Sequence, residues 1–343
     1  MPSSSSINLG IWKALPRPFS VLAPMEDVTD TVFRRIVREV GAPDLFFTEF
    51  TSTDGLCTAG RPRVIGRLRH TDDERPLVAQ IWGTRPDYFR RVAAEVRDLG
   101  FDGVDINMGC PVRKIISRGA CGALISSPGL AGEIIAAAKE GAGDLPVSVK
   151  TRIGVSSPQP DEWLGFLLQQ GLSALTVHGR TVSQQSDGDA NWDAVALAVR
   201  LRDHAGLPTV IVGNGDVKTA AVFHERARQT GADGIMVGRG VFENIFVFAA
   251  VRDAAAGRKH AEREFARLPL AEKIAFFRRH LLLHRETWGP GRGFDVLKKF
   301  AKTYLRAFEG AGKLVEAVMR TRAHEAALAV LDEWQERLSA REA

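Results

Sequence analysis

The sequence predicts an α/β fold class, a (β/α)8 TIM barrel followed by a C-terminal helical bundle domain. Eight short apolar runs recur between residues 19 and 240, and segments with helical periodicity separate them. After about residue 265 this alternation stops, and longer amphipathic segments take its place. The eight runs, which we expect to be parallel strands, are Ser20–Met25, Asp44–Glu49, Leu77–Trp82, Gly103–Asn107, Val147–Arg152, Ala174–His178, Thr209–Asn214 and Gly234–Gly238.

The runs are nearly continuous and rich in β-branched residues, which is typical of parallel strands buried on both faces. Between them, Pro86–Leu99, Gly129–Lys139 and Thr219–Thr230 place apolar residues at the three-to-four spacing of helices. A doubly wound open sheet is the alternative, and it would carry a glycine-rich turn after its first strand. The sequence Ala23-Pro-Met-Glu26 does not supply that turn, so the barrel is favoured.

The end of the chain predicts a small helical bundle attached to the barrel. A Gly/Pro-rich stretch, Trp288–Gly293, separates the first two helical segments. The predicted helices are Ala271–Arg285, Asp295–Phe308 and Lys313–Arg337. We therefore divide the chain into an N-terminal extension at 1–18, a barrel at 19–257 and a helical domain at 258–343.

The composition, 45% hydrophobic and 25% charged over 343 residues, suits an ordinary soluble globular protein. Three cysteines, Cys57, Cys110 and Cys121, are too few for a disulfide framework and favour a reducing compartment. No apolar run approaches membrane-spanning length, and residues 1–7 lack the basic and apolar segments of a secretory signal. We expect a cytoplasmic protein with no membrane partner, and we expect residues 1–7 to be frayed.

The positive charge is concentrated in the last quarter of the chain. Residues 258–343 hold 18 Lys/Arg and 12 Asp/Glu, a balance of +6 within the overall +5. A basic module beside a near-neutral one indicates a polyanionic partner, although a solvated helical surface is the simpler alternative.

Polar residues stand where the predicted strands end. In barrels of this class the active site lies at the carboxyl ends of the strands, so these residues mark a candidate site. They are Pro24-Met25, Glu49, Gln80, Asn107, Lys150, His178, Asn214 and Gly238-Arg239. Because His178 has no His or carboxylate partner at ligand spacing, we expect no metal.

Cys110 follows the fourth strand on a loop bounded by glycine and proline. Arg113, Lys114 and Arg118 come next, and such cations favour the thiolate and attract an anionic ligand. A chemical role for Cys110 and a role as buried apolar filler both fit the position.

Two glycine-containing loops, Asn214-Gly-Asp216 and Gly238-Arg-Gly240, follow the last two strands, where this fold commonly binds phosphate. We place Asp216 as a helix N-cap, because its charge would repel a phosphate at close range. Lys150 lies in an apolar run and needs an anionic partner, either a ligand or an internal salt bridge. Gln80 offers a donor and an acceptor to a ring with carbonyl and N–H groups.

In their order and spacing, these motifs resemble the tRNA-dihydrouridine synthases, FMN-dependent reductases of uridine in tRNA. The resemblance spans about residues 20 to 310. The motifs that carry it are Ala23-Pro-Met-Glu-Asp-Val-Thr-Asp30, Thr48-Glu49, Ala79-Gln80, Asn107-Met-Gly-Cys-Pro111, Ser148-Val-Lys-Thr-Arg152, Val177-His-Gly-Arg-Thr181, Gly213-Asn-Gly-Asp216 and Met236-Val-Gly-Arg-Gly240.

The resemblance implies a reaction in which NADPH supplies the reducing equivalents, hydride passes from reduced FMN to C6 of uracil, and Cys110 gives a proton to C5. It implies tRNA as the partner, and we expect a monomer. By resemblance, Asn107 and Arg180 contact the flipped base or its surroundings, and the basic residues Arg113, Lys114, Lys298 and Lys299 also bind the substrate. The residues that would hold FMN are Pro24, Met25, Glu26, Gln80, Lys150, His178, Asn214, Gly215, Asp216, Gly238 and Arg239.

Three segments depart from the family pattern. Ala120-Cys121 stands where the family usually has Gly-Gly, which leaves Cys121 as filler or a second thiol near the site. The segment Asp187–Trp192 lacks the tyrosine that the family often has before this tryptophan, and the segment Val296–Phe300 lacks the histidine of the family's tail motif.

Two other functions stay open at this stage. A flavin reductase of a free pyrimidine or enone, as in dihydroorotate-type barrels, would share the rim but would not need the basic tail. A flavin-holding RNA-binding protein without catalysis would share both features.

Overall fold

A computed structural model describes residues 7–258, 264–289 and 293–342. Eight parallel strands form the barrel in the order β1, β9, β8, β7, β6, β5, β4, β2, and a parallel bridge between Val21 and Leu45 closes the ring. The short strand β3 pairs with β4 beyond β2. The strands are β1 (Phe19–Leu22), β2 (Phe46–Phe47), β3 (Thr51–Ser52), β4 (Leu77–Trp82), β5 (Gly103–Met108), β6 (Val147–Arg152), β7 (Ala174–His178), β8 (Val210–Asn214) and β9 (Gly234–Val237).

The predicted barrel is confirmed, and each of the eight predicted runs overlaps one of its strands. The register of the ladders brings polar strand ends to a common level. Asn107 of β5 is the partner of Lys150 of β6, and His178 of β7 is the partner of Asn214 of β8. Since all strands run in the same direction, these side chains meet at one mouth of the barrel.

Helices follow the strands and cover the outside of the barrel. Asp30 caps α1 by accepting from the Phe33 N–H at 3.0 Å, and Gly231 ends α9 in the left-handed conformation. The helices up to residue 255 are α1 (Thr31–Gly41), α2 (Thr53–Cys57), α3 (Arg61–Val64), α4 (Pro86–Asp98), α5 (Arg113–Ile116), α6 (Pro128–Ala142), α7 (Pro160–Leu168), α8 (Trp192–His204), α9 (Ala220–Thr230), α10 (Gly240–Glu243) and α11 (Val247–Ala255).

The N-terminal segment closes the other end of the barrel. Trp12 is fully buried in a 3-10 helix, Gly10–Lys13, and packs 6.0 Å from Phe19 and 6.3 Å from Phe47 between ring centroids. The side-chain amide of Asn8 donates a hydrogen bond to a backbone carbonyl shortly before β6. The Ser173 hydroxyl, just before β7, donates to the backbone carbonyl of Asn8. Residues 1–6 of the segment expected to fray lie outside the described residues.

The described residues of the C-terminal region form four α-helices, and this region packs onto the barrel through α1. The rings of Phe33 and Phe300 stack at 5.2 Å, and Trp288 donates a 3.0 Å hydrogen bond to Asp30. Residues 290–292 of the predicted break lie outside the described residues. The helices are α12 (Leu270–Trp288), α13 (Lys298–Tyr304), α14 (Ala311–Arg320) and α15 (His324–Glu342).

Two predictions about these helices were wrong. The predicted helix Lys313–Arg337 is two helices, because Thr321 turns into an extended conformation and its hydroxyl donates to the Val318 carbonyl at 2.7 Å. The predicted helix Asp295–Phe308 is shorter, because residues 294–297 form a 3-10 turn and the chain leaves the helix at Leu305. Within the described parts of the chain, no helix combines the length and the apolarity needed to cross a membrane.

Buried histidines inside the C-terminal helices make the stability of this region sensitive to acid. Burial lowers the pKa of His280 to about 3, with a smaller contribution from His284, and the ring lies 3.3 Å from the Tyr304 hydroxyl. His284 and His324 share a 2.9 Å hydrogen bond, and burial also lowers the pKa of His324. The unfolded chain, with ordinary histidine pKa values, therefore binds protons first as the pH falls.

We expect the free energy of unfolding to decrease below about pH 6.5 by roughly 1.4 kcal/mol per pH unit for each histidine that stays neutral when folded. His280→Gln should reduce this dependence, because glutamine does not titrate, whereas His204→Gln at an exposed position of α8 should leave it unchanged. Urea unfolding between pH 5 and pH 8 measures it. The same acid sensitivity in wild type and His280→Gln would contradict the assignment.

Candidate active site

A cavity of about 620 Å³ opens at the carboxyl-terminal mouth of the barrel. Its lining comes from the carboxyl ends of β5, β6, β7 and β8 and from the segments that follow β1, β2, β5, β7, β8 and β9. The structure thus brings together most of the residues that the sequence singled out. Those that line the cavity are Pro24, Met25, Asn107, Cys110, Lys150, His178, Arg180, Asn214, Gly215, Asp216, Gly238 and Arg239.

Six of the expected site residues do not line the cavity. Gln80 is buried in the barrel, and Glu26 is exposed and forms an ion pair with Arg67. Lys298 pairs with Asp295 at 2.7 Å, and Lys299 donates to the Asp27 carbonyl. Arg113 and Lys114 are exposed on α5, in the segment that follows Cys110.

Asn107 holds the loop that carries Cys110. Its side-chain oxygen accepts the backbone N–H of Gly109 at 3.0 Å and that of Cys110 at 2.9 Å. Arg152 donates to the Gly109 carbonyl at 2.8 Å. Cys110 is 8% exposed and faces the cavity, so its thiol is reachable on a restrained backbone.

A chain of hydrogen bonds runs beneath the cavity through the barrel interior. Asn107 donates to the Gln80 side-chain oxygen at 2.9 Å, and Gln80 donates to Asp105 at 2.7 Å. Ser148 donates to the other oxygen of Asp105 at 2.6 Å. Burial raises the pKa of Asp105 to about 6, although the hydrogen bonds from Ser148 and Gln80 lower it in part. Gln80, expected to contact a cofactor, here orients Asn107.

Lys150 projects into the cavity wall, where its ammonium donates to the Asn214 amide oxygen at 3.1 Å. Burial lowers its pKa to about 8, the nearby Arg152 adds to this effect, and the charge of Asp105 opposes it. A desolvated ammonium that donates to a neutral amide favours an anionic ligand.

Arg180 is 2% exposed and already engaged by protein groups. Its guanidinium donates to both carboxylate oxygens of Asp216 at 2.8 and 2.7 Å, and to the Gly188 carbonyl. A further nitrogen of the Arg180 guanidinium, Nη1, lies 3.2 Å from Nε2 of His178. Because arginine only donates, Nε2 accepts and the proton sits on Nδ1. Burial and the neighbouring cations lower the pKa of His178, so the ring is neutral.

The expectation that Asp216 caps a helix was wrong. Thr219 caps α9 by accepting from the Val222 N–H, while Asp216 accepts from Arg180 and from the Ala190 N–H at 2.9 Å. A carboxylate neutralised in this way can lie in a loop beside a phosphate site without the repulsion that motivated the expectation.

The two glycine loops after β8 and β9 lie against each other. A β-carbon at Gly240 would stand 2.0 Å from the Val217 carbonyl oxygen, so that contact requires glycine. A β-carbon at Gly238 would meet only Ala23, at 3.6 Å, and this face opens to the cavity. The side chain of Arg239 is 62% exposed at the same edge. Open glycine backbone beside an arginine suits phosphate oxygens.

The matching family model is described as "Dihydrouridine synthase (Dus)", and it covers residues 21–340. The chain belongs to the dihydrouridine synthase family.

Curated relatives agree with this assignment over nearly their whole length. The chain is 43% identical over 327 residues to "Probable tRNA-dihydrouridine synthase 2" of Bacillus subtilis, covering 94% of this chain and 96% of that protein. It is 41% identical over 333 residues to "Probable tRNA-dihydrouridine synthase" of Staphylococcus epidermidis, covering 96% of this chain and 98% of that one. The chain is therefore an enzyme of the dihydrouridine synthase family.

Solved structures support the barrel at the level of the fold. Morphinone reductase superposes with a TM-score of 0.51 at 13% identity, covering 72% of this chain and 88% of that one. Histamine dehydrogenase from Rhizobium sp. 4-9 gives a TM-score of 0.54 at 13% identity, covering 77% and 48%.

Sequence reasoning missed two residues of this site, Arg152 and Asp105. Each lies two residues from a recognised strand-end residue, and strand alternation could have drawn attention to Asp105. Glu49 was recognised as a rim residue but is buried; it accepts from the Asp27 N–H at 2.7 Å, and burial raises its pKa to about 7. Cys121, which the sequence left open as filler or a second thiol near the site, is fully buried, and the next residue, Gly122, donates to the Cys110 carbonyl at 3.4 Å. Within the described residues, no group of three or more His, Cys, Asp or Glu could hold a metal.

Arg180 should matter to stability far more than Arg239, although both face Asp216. We expect Arg180→Lys to lower the free energy of unfolding by about 1–3 kcal/mol, because a lysine cannot reproduce the buried fork of hydrogen bonds. Arg239→Lys should cost less than about 0.5 kcal/mol, since that guanidinium is exposed and 3.7 Å from the carboxylate. Urea unfolding of both variants measures the difference, and equal losses would contradict the structural role of Arg180.

Proposed function

We propose that this enzyme is an FMN-dependent reductase that uses NADPH to convert uridine in tRNA to 5,6-dihydrouridine. The observation that carries the proposal is the placement of Cys110 in the wall of a cavity that Lys150, His178 and the two glycine loops also line. Membership of the family and the names of the curated relatives support the reaction.

The residues of the cavity fit FMN. Lys150 supplies a desolvated cation for an electron-rich ring edge, and the neutral His178 supplies a hydrogen-bonding ring beside it. Gly215, Gly238 and Arg239 would hold the phosphate. Pro24, Met25 and Asn214 complete the wall. When bound, FMN supplies the hydride that the C6 position of uracil receives.

Cys110 is suited to deliver the proton to C5. Its pKa is lowered to about 7, first by a hydrogen bond from the Cys121 side chain and against the effect of burial. At neutral pH a large fraction of the thiol still carries its proton, and a pKa near the working pH favours general acid catalysis. The S–H bond breaks as the C5–H bond forms, and solvent at the cavity mouth returns a proton to the sulfur.

The RNA must reach this cavity with its target base turned out of the stack. Arg113 and Lys114 are exposed on α5, in the segment that follows Cys110, and Lys298 and Lys299 lie on α13, where Lys299 donates to the Asp27 carbonyl. These cations would hold the phosphate backbone largely independently of sequence. We place the enzyme in the cytoplasm and propose that it acts as a monomer without a metal.

Replacing the acid should stop the reaction without emptying the flavin site. We expect Cys110→Ala to reduce dihydrouridine formation by about 10²-fold or more, because the proton donor is lost. Cys57→Ala is the matched control, since Cys57 lies on α2 away from the cavity lining. Mass spectrometry of tRNA from cells lacking the gene, complemented with each variant, gives the yield, and flavin absorbance of the purified variants gives the occupancy.

If Cys110→Ala restored normal dihydrouridine, the assignment of the acid would be wrong. If even the wild type restored none, the substrate assignment would fail, and a free pyrimidine or enone would become the candidate substrate.

Charge reversal at the mouth should separate RNA binding from flavin chemistry. We expect Arg113→Glu with Lys114→Glu to raise the KM for tRNA at least tenfold and to weaken its salt dependence, because two phosphate contacts are lost. Oxidation of NADPH with oxygen as acceptor should stay unchanged. A free-substrate reductase would show neither effect on its own substrate. Deleting 260–343 is a poorer test, because the stack of Phe33 on Phe300 would be lost with it.

A further inference from the structure

A buried carboxylate, that of Asp105, lies at the inner end of the hydrogen-bond chain that reaches the Cys110 loop. Asp105 is fully buried in β5, and the strand ladders pair it with Gln80 of β4 and with Ser148 of β6. Gln80 donates to Oδ2 of Asp105 at 2.7 Å, and Ser148 donates to Oδ1 at 2.6 Å. Each carboxylate oxygen is therefore used by one of the two neighbouring strands.

The chemistry of its two ends sets the direction of this chain. An ionised carboxylate only accepts, so Gln80 turns its side-chain nitrogen towards Asp105 and its oxygen towards Asn107. Asn107 then donates through its own nitrogen at 2.9 Å and keeps its oxygen for the backbone N–H groups of Gly109 and Cys110. Backbone N–H groups only donate, so the loop requires the same direction. Each of the two amides thus has one favourable orientation.

Without the carboxylate, only the loop would set this direction. Turning the Gln80 amide would bring its nitrogen against the nitrogen of Asn107. Turning Asn107 in response would bring its nitrogen against the two N–H groups that its oxygen now accepts. Leaving both amides in place would leave the Gln80 nitrogen unpaired in the barrel interior. Every alternative loses a hydrogen bond in a buried place, where the loss is unfavourable.

We propose that Asp105 is a positioning residue, whose carboxylate fixes the orientation of the Gln80 and Asn107 amides and thereby restrains the loop that carries Cys110. Asp105 is not among the residues that line the cavity, so it acts through the chain rather than by contact with a ligand. This inference rests on the proposed function only where it treats Cys110 as the proton donor. The restraint on the loop is a property of the protein without substrate.

The test is amide hydrogen exchange of the loop, followed by mass spectrometry of the peptide that contains Gly109 and Cys110. We expect Asp105→Val, which removes the acceptor and keeps a β-branched residue in the strand, to speed this exchange by about tenfold or more. Asp105→Ala, which cannot overpack the interior, should do the same, because a water in the vacated space can donate or accept and sets no direction.

Asp105→Asn should rescue the restraint. Its side-chain oxygen can accept from Gln80 while its nitrogen donates to the Ser148 hydroxyl, so exchange in the loop should stay within about threefold of the wild type. A loop that exchanges as fast in Asp105→Asn as in Asp105→Val would contradict a role that depends on the direction of the chain.

Asp102→Val is the matched control, because Asp102 lies just before the same strand at its amino end. Its carboxylate accepts from the Leu77 N–H at 2.8 Å and pairs with Arg75 at 2.9 Å. We expect this variant to lower the thermal midpoint without changing exchange in the loop. Peptides from α8, outside the barrel, serve as the internal reference in every variant.

Unchanged loop exchange in both Asp105→Val and Asp105→Ala would overturn the proposal. Faster exchange that extends equally to α8 would also overturn it, as would an equal effect of Asp102→Val, because either result would mean that Asp105 only supports the fold.

Turnover separates this inference from the proposed function. In Asp105→Val we expect kcat for tRNA reduction to fall by about tenfold or more while KM for tRNA stays within about twofold, because the donor is misplaced and the RNA contacts remain. Faster loop exchange with an unchanged kcat would overturn the role of Asp105 in the reaction. Faster loop exchange with no tRNA reduction by the wild type would instead overturn the proposed function, so the two failures are distinguishable.

Discussion

The carboxamide of Asn107 is the interaction on which the geometry of the barrel mouth depends. Its oxygen receives the N–H groups of Gly109 and Cys110, and its nitrogen donates to Gln80. Because both ends of the amide are used, it cannot rotate without leaving buried polar groups unpaired, at about 1–3 kcal/mol each. These hydrogen bonds thereby restrain the loop that carries the Cys110 thiol relative to the barrel interior. A proton donor needs such restraint, because a small misplacement costs a large factor in rate.

Positive charge at the mouth is balanced only in part. Arg180 is paired with Asp216, whereas Lys150 donates to an amide and Arg152 to backbone carbonyls. Burial first, and the neighbouring cations in addition, lower the pKa values of Lys150 and His178, so the His178 ring is neutral. A bound anion would relieve the repulsion, so the arrangement that is unfavourable in the free protein is prepared for a negatively charged ligand. This explains why cations with few carboxylates are tolerated in a largely buried place.

The barrel and the position of its site followed from the sequence, because parallel strands and their polar ends leave a strong periodic signal. The exact partners did not follow. Gln80 and Asn107 are both polar strand ends, yet only the fold shows that one orients the other. Asp216 looked like a cap because its pairing with Arg180 joins residues far apart in sequence. For Cys121 the sequence left two alternatives open, and its spacing did not indicate the positive φ of +54° that the fold gives it.

The division of the chain by composition conceals how closely the basic helices are joined to the cavity. Lys299 donates to the Asp27 carbonyl, and Trp288 donates to Asp30. The C-terminal helices therefore bind the loop after β1, and the same loop places Met25 in the cavity wall. Backbone contacts to RNA are read largely through charge and shape, and they carry little positional information unless the charges are fixed relative to the reacting group. Under the proposed function, these hydrogen bonds fix that distance. A flexible basic tail would supply the same affinity, but it would not select which base reaches Cys110.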